Sequence, residues 1–496
     1  MIATPARAPR AAARCVRVAS ACTVSGRNSG GAQRGMKVVD REWVSKAPKL
    51  RHVAPFDWIR GFGIFGVMIG HSYPLDTLSF AAIVDIFFVI SGFLITSLLF
   101  QEQRSHSRID LKKFYARRTL RLFPLLYVTL FVVAVAGVLA KVAGLLEGTP
   151  YTLSELAKET VASAFYVHNI VFPTLGGAWH AHLWTLSVEE QFYLVVGVMM
   201  VVGLRRGWIR PITWLLITCV ATIQISRMFA ITGPFKELAF AVWLQRPDSL
   251  MIGMLAAIAN AHLADPLSER AKRWLKIGGW VGTVAIFVTV WASTSFARNQ
   301  LHISIPFFPG DVNYTTQPQK VIDGLLAQSG WRLDMGRVYW LQWGFTLASW
   351  SFFFITLAAF RVNSWTPNKP MNWKPLVLIG GMLSYGLYIW HYPVQHFTRM
   401  FTGTTNEACG GHYNLTDCRV GDHYRTTLNP VLQLVLDCAL PFLIAVPTYF
   451  LVEKKALQLK DRFQVDRAAK AAGEAKPTAG TEASSPTEAG SPSEPT

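Results

Sequence analysis

Arg60 and His71 stand eleven residues apart in the stretch DWIRGFGIFGVMIGH (57–71), and both are ionisable groups in an otherwise apolar run. On a helix that spacing is about three turns, which puts both side chains on one face roughly 16 Å apart along the axis. They are too far apart to pair but well placed to hold two ends of one long ligand. A neutral imidazole suits removal of a proton from a hydroxyl that attacks an ester or thioester, or acceptance of the acyl group itself. Arg60 suits a phosphate or carboxylate. The blander readings are a packing histidine between helices, and an arginine that snorkels or pairs with Asp57.

Other candidates follow along the chain. VDIFFVISGFLITSLLF places Asp85 in an apolar run, where it needs a partner, and Arg60 or His71 is the expected one. In the same run Ser91 and Gly92 suit close helix packing. KKFYARRTLRLFP carries Arg117, Arg118 and Arg121, with 117 and 121 on one helical face. They read either as a site for phosphates or as topological charge beside a span. In HAHLWTLSVEEQFYLVV, His180 and His182 form an HxH pair, but no carboxylate or cysteine spacing supports a metal site. Ser187 and Glu190 fit a capping box, which leaves Glu189 facing the cavity to orient His71 or bind an acceptor hydroxyl. Arg246 and Asp248 flank Pro247 and mark a polar pocket or a structural ion pair. SYGLYIWHYPV sets Tyr388 and His391 about one turn apart, just before Pro393.

These residues need a membrane to position them. The 496-residue chain is 51% hydrophobic and only 16% charged, with 17 Trp, which excludes an ordinary soluble protein. Its net charge of +18 sits in short clusters between apolar runs, so it reads as topological charge and nucleic acid is not an expected partner. Ten runs approach membrane length, near 56–74, 80–100, 122–146, 190–204, 212–232, 238–262, 277–293, 341–360, 376–398 and 430–452. Every even-numbered exit is basic. The expected fold is therefore all-α, a polytopic helical bundle of about ten transmembrane helices with both termini cytoplasmic.

Residues 1–50 read as a basic, disordered extension with transit-peptide-like composition, or as a start misplaced ahead of Met36. The membrane domain is expected over 51–456, and a disordered Ala/Pro/Ser/Thr-rich tail over 457–496. Cys409 and Cys418 share one polar outer loop and form either a disulfide or two free thiols.

In order and spacing these stretches resemble the acyltransferase-3 family of membrane proteins. DWIRGFGIFGVMIGH is similar to its opening Asp-x-x-Arg-Gly and Arg-x(10)-His segment, and VDIFFVISGFLIT to its second-helix signature. FYARRTLRLFP resembles its basic loop, and LWTLSVEEQFYLV its Trp-Ser-Leu-x-x-Glu-x-x-Phe-Tyr motif, with Trp184 in place and Thr185 where Ser is usual. SYGLYIWHYPV resembles the late Ser-Tyr-x-Leu-Tyr-x-x-His-x-Pro motif. Phe62 and Gly63 depart from the Leu-Ala-Ala type sequence common after Arg-Gly.

The resemblance covers about 54–456 and implies an O-acyltransferase of the stand-alone type, without a fused esterase-like domain. Such an enzyme moves an acyl group, most often acetyl, from cytoplasmic acyl-CoA to a hydroxyl of an extracytoplasmic glycan or glycolipid, such as lipopolysaccharide. His71 is then the catalytic residue, with Arg60 and Glu189 beside it. Asp57, Asp85, Ser91, Trp184, Arg246, Asp248, Tyr388 and His391 support them, and Arg117, Arg118 and Arg121 hold acyl-CoA. No metal is expected. The partners are the lipid bilayer, the donor and the acceptor, in a bacterial inner membrane. The rival class is a proton-coupled transporter or flippase, in which His71, Asp85 and Arg246 bind a headgroup or relay protons.

Overall fold

The computed structural model describes residues 48–50, 52–72, 82–106, 109–146, 152–173, 179–229, 234–292, 343–402 and 429–459. Residues 1–47 and 460–496 of the terminal extensions and the Cys409/Cys418 loop lie outside the described residues. Among the described residues the chain is helical and holds no strand.

Each apolar run becomes helix. The order is α1 (Ala54–Ser72), α2 (Ile83–His106), α3 (Leu111–Val142), α4 (Leu153–Ala164) and the single turn α5 (His168–Val171). A 3-10 turn, Ala181–Leu183, leads into α6 (Trp184–Arg206), followed by α7 (Ile209–Met228), α8 (Lys236–Gln245), α9 (Pro247–His262) and α10 (Glu269–Ala292). Then come α11 (Phe345–Arg361), α12 (Lys374–Leu378), a π turn at Ile379–Leu383, α13 (Ser384–Thr402) and α14 (Pro430–Thr448), which runs on through a π turn at Tyr449–Glu453.

Among the described residues six helices are long and apolar enough to cross a membrane: Ile83–Ser105, Leu111–Val142, Ala181–Arg206, Ile209–Met228, Glu269–Ala292 and Val431–Leu459. A seventh counts if Phe345–Arg361 is taken with Thr366–Asn372, which bends away by 73°. The described residues thus supply six or seven of the ten spans expected from the sequence. The run at 238–262 breaks at Arg246, and the run at 376–398 is interrupted by the π turn. Helices α1 and α13, which carry Asp57, Arg60 and His71 and His391, Gln395 and His396 respectively, are not among the six.

Two close backbone approaches set the architecture. A Cβ on Gly92 would sit 2.2 Å from the Leu250 carbonyl oxygen, and one on Gly253 equally close to that of Val89, so α2 and α9 cross with their backbones touching. Gly61 does the same for α1, 2.2 Å from the Leu376 carbonyl oxygen of α12. Around the first crossing lies a core of α2, α7, α9 and α11 side chains, including Phe93, Val220, Ile252 and Phe352. A second core joins α1, α3, α13 and α14 through Ile64, Met68, Val133, Leu387, Trp390 and Ala445. The functional side chains lie along the seam that α1 and α13 share with α6.

Candidate active site

His71 closes the last turn of α1 and is exposed. Its Nδ1 lies 2.9 Å from the Val67 carbonyl oxygen and 3.3 Å from Nε2 of His391. His391, fully buried, places its own Nδ1 2.6 Å from the Tyr388 carbonyl oxygen. A carbonyl only accepts, so in both neutral rings the proton sits on Nδ1. Nε2 of His391 then receives the Nδ1–H of His71, and the basic nitrogen of His71 is Nε2. One imidazole thus fixes the tautomer of the other.

A third imidazole completes the group. His182 packs 5.2 Å from the His391 ring and stacks on Tyr392 at 5.0 Å, while His71 meets the edge of Tyr392 at 5.4 Å. Proline explains how His182 is held. Pro393 lies inside α13 and has no N–H for the carbonyl four residues earlier, Ile389. Nε2 of His182 donates to that freed oxygen at 3.2 Å. The same device fastens the end of α1. Pro441 in α14 frees the Asp437 carbonyl, and Nε2 of Gln395 fills it while also donating to Met68. The buried Asp437 carboxylate accepts from Ser72 at 2.7 Å and Gln433 at 2.9 Å. The sequence reading missed His182, Gln395 and Asp437. The HxH directly before the Trp184 motif was a usable signal for the first. A Gln or Asp in register with a later proline was too weak a signal for the others.

The second group sits toward the start of α1. Arg60 pairs with Asp57 at 3.2 Å, and Asp57 also meets His52 at 2.6 Å. Arg121 is electrostatically coupled to both Arg60 and Arg118, so three guanidinium groups gather here. Arg118 stacks 4.2 Å above the Tyr193 ring. Glu189 accepts from the Tyr193 hydroxyl at 3.2 Å and from Ser91, and lies within electrostatic reach of Arg118 and Arg60. It therefore balances the arginines, and no hydrogen bond joins it to His71. Arg117, expected on the same face as Arg121, turns away to Glu102 at 2.8 Å.

Between the groups, the Tyr388 hydroxyl bonds Thr185 and the His182 carbonyl oxygen. A polar seam thus runs from the arginines through Glu189, Tyr388 and His182 to His391 and His71. Near the histidine end Glu159 accepts from the backbone N–H of His180 at 2.6 Å and of Trp179 at 3.1 Å, which pins the segment leading to His182. Burial holds the His180 imidazole down at about 4.

Several expected pairings differ. Asp85 binds neither Arg60 nor His71 but Arg246, at 2.8 Å, with Ser249 donating to it at 2.7 Å. Asp248 pairs with Arg227 at 3.0 Å, not with its neighbour Arg246. Both pairs are buried. Arg246 occupies the left-handed region (φ 52°) at the break between α8 and α9, over the rings of Phe345 and Trp184. The capping box does not form either. Helix α6 begins at Trp184, and Ser187, already inside it, donates to the Leu183 carbonyl oxygen. Among the described residues no group of three His, Cys, Asp or Glu comes together to hold a metal ion.

O-acetyltransferase OatA of Staphylococcus aureus strain NCTC 8325 / PS 47 is 28% identical over 379 residues, 74% of this chain and 54% of its own. OatA of strain COL matches with the same figures. The chain thus spans about half the length of the curated relatives it matches. No solved structure matches. The family model described as an acyltransferase domain matches residues 53–450, which include every residue of the two groups except His52. With its apolar helices and this match over most of its length, the chain belongs to the acyltransferase-3 family and is a multi-pass integral membrane protein.

Proposed function

We propose that this protein is an O-acetyltransferase that moves an acetyl group from acyl-CoA, bound from the cytoplasm, to a hydroxyl of an extracytoplasmic cell-envelope glycan or glycolipid. The observation that carries this reading is the polar seam, with guanidinium groups at one end and a tautomer-locked imidazole about three turns away on the same helix. The guanidinium groups of Arg60, Arg118 and Arg121 suit the phosphates of the donor. An extended acyl-bearing arm from there reaches toward His71. Nε2 of His71 takes the proton of the acceptor hydroxyl as its oxygen attacks the thioester carbonyl. When the tetrahedral intermediate collapses, the carbon–sulfur bond breaks and the proton returns to the leaving thiolate. His391 acts by holding the Nδ1 proton of His71 in place, which keeps Nε2 basic.

In this reading the membrane domain of 51–456 has both termini in the cytoplasm of a bacterial inner membrane, and the His71 end faces outward. The name O-acetyltransferase borne by the relatives supports acetyl as the transferred group. Full-length protein in nanodiscs, given radiolabelled acetyl-CoA and a cell-envelope glycan extract, is expected to label the glycan, and His71→Ala is expected to abolish that transfer. Undiminished transfer by correctly inserted His71→Ala would overturn the assignment. If no acyl donor were consumed and a substrate-dependent proton flux appeared instead, the transporter reading would replace it.

A further inference from the structure

His71 stands in the last turn of α1, and a helix end is where backbone order is weakest unless something holds it. Two other helices meet that turn at three points. His391 of α13 places Nε2 3.3 Å from the His71 ring. Gln395, one turn further along the same face of α13, donates to the Met68 carbonyl oxygen at 3.0 Å. Asp437 of α14 accepts from the Ser72 hydroxyl at 2.7 Å. Gln395 also donates to the Asp437 backbone carbonyl at 3.2 Å, which joins the two supporting helices at the level of the turn they hold. Gln395, Asp437 and Ser72 are buried, whereas His71 itself is exposed.

Both polar residues carry a penalty that packing alone does not explain. The Asp437 carboxylate lies fully buried in an apolar helix of membrane-spanning length, where a charge is expensive and needs donors. Ser72 serves one of its oxygens and Gln433, at 2.9 Å, the other. Gln395 leaves Oε1 buried without a partner while its Nε2 makes both donated bonds. We propose that Asp437 and Gln395 are positioning residues for acyl transfer: through Ser72 and Met68 they fix the last turn of α1 and keep Nε2 of His71 aimed at the acceptor hydroxyl. The inference rests on the transfer reading of His71. The arginine end of α1 is held separately, by the Gly61 contact with α12, so loosening the histidine end slows transfer without weakening the donor.

The test uses full-length protein in nanodiscs with radiolabelled acetyl-CoA and a cell-envelope glycan extract, and counts acetyl-CoA-binding sites so that kcat is given per site. Asp437→Leu and Gln395→Leu should each lower kcat per site roughly 10- to 100-fold, with the donor KM unchanged. Asp437→Asn keeps an acceptor for Ser72 and should restore most of the rate. Adding Ser72→Ala to Asp437→Leu should lower kcat no further, because the two act through one bond. A general packing defect would instead reduce the number of donor sites. Should the leucine variants fail to insert, Ser72→Ala decides: a loss in kcat of about fivefold or more at unchanged KM supports the inference. Wild-type kcat per site in Ser72→Ala or Gln395→Leu, or a matching loss of donor affinity, overturns it and leaves the His71 assignment standing. An inactive wild type or a fully active His71→Ala removes the transfer reading, and this inference with it.

Discussion

Replacing His391 with phenylalanine keeps a ring of similar size in the seam and removes the nitrogen that receives the His71 Nδ1–H. The size of the effect follows from the geometry. That proton is shared between the Val67 carbonyl oxygen at 2.9 Å and His391 at 3.3 Å, so the shorter bond survives the change. Loss of one modest neutral hydrogen bond costs about 0.5–1.5 kcal/mol. At about 1.4 kcal/mol per tenfold in rate, kcat falls roughly 2- to 13-fold. Removing the base itself is worth more, about 10²–10⁴-fold. Transfer of radiolabel from acetyl-CoA at saturating donor, with KM measured alongside, separates the two. His391→Phe should lower kcat within that narrow window and leave the KM for acetyl-CoA unchanged, whereas His71→Ala should fall below it by at least another tenfold. The reasoning is refuted if His391→Phe is as damaging as His71→Ala, which would make His391 a direct participant. It is equally refuted if kcat does not change.

Four further outcomes are expected. Arg118→Gln removes a guanidinium from the cluster and should raise the KM for the donor about tenfold or more, whereas Arg117→Gln, already engaged with Glu102, should change it less than threefold. Asp85→Leu leaves Arg246 buried without its partner and should cost about 3–5 kcal/mol, read as a large drop in the thermal midpoint in detergent. Asp85→Leu/Arg246→Met should recover most of that loss, and a double variant worse than the single would contradict the pairing. Gly253→Ala drives a Cβ against the Val89 carbonyl oxygen and should destabilise by about 1–3 kcal/mol, in contrast to a neutral Ala substitution at an open helix position. Finally, His180 is held neutral by burial down to about 4, so its contribution is complete above its ordinary value of 6.5 and is lost as pH falls through 4. The fall in thermal midpoint between pH 7 and pH 4 should therefore be shallower in His180→Asn than in wild type.

The local sequence carried the elements well and the partnerships poorly. Every apolar run is helical because residue type alone decides that a membrane-length apolar segment must satisfy its own backbone. Pro247, at the first position of α9, stands at the break that divides the run at 238–262. The 60/71 spacing also gave the axial separation of the two functional ends. What stayed hidden were contacts between residues far apart in the chain. Asp85 lies 161 residues from Arg246, and nothing in either stretch distinguishes that partner from Arg60. The capping box failed because the 3-10 turn at 181–183 starts α6 earlier than the Ser187 pattern suggested. His182 stood out only as half of an HxH pair without metal spacing, because its acceptor, the Ile389 carbonyl, exists only once Pro393 is set into a helix on another part of the chain.

The contact between Gly61 and α12 has a consequence for substrate choice. With the backbones touching there, and Ser72 and Met68 tied to Asp437 and Gln395 at the other end, α1 is fixed at both ends and cannot slide along its axis. The interval between Arg60 and His71 then works as a ruler of roughly 16 Å cut into a single helix. If Arg60 and His71 act as proposed, a donor is admitted by its reach as well as by its leaving group: an activated acetyl group carried directly on a phosphate is then too short to be gripped at one end and attacked at the other.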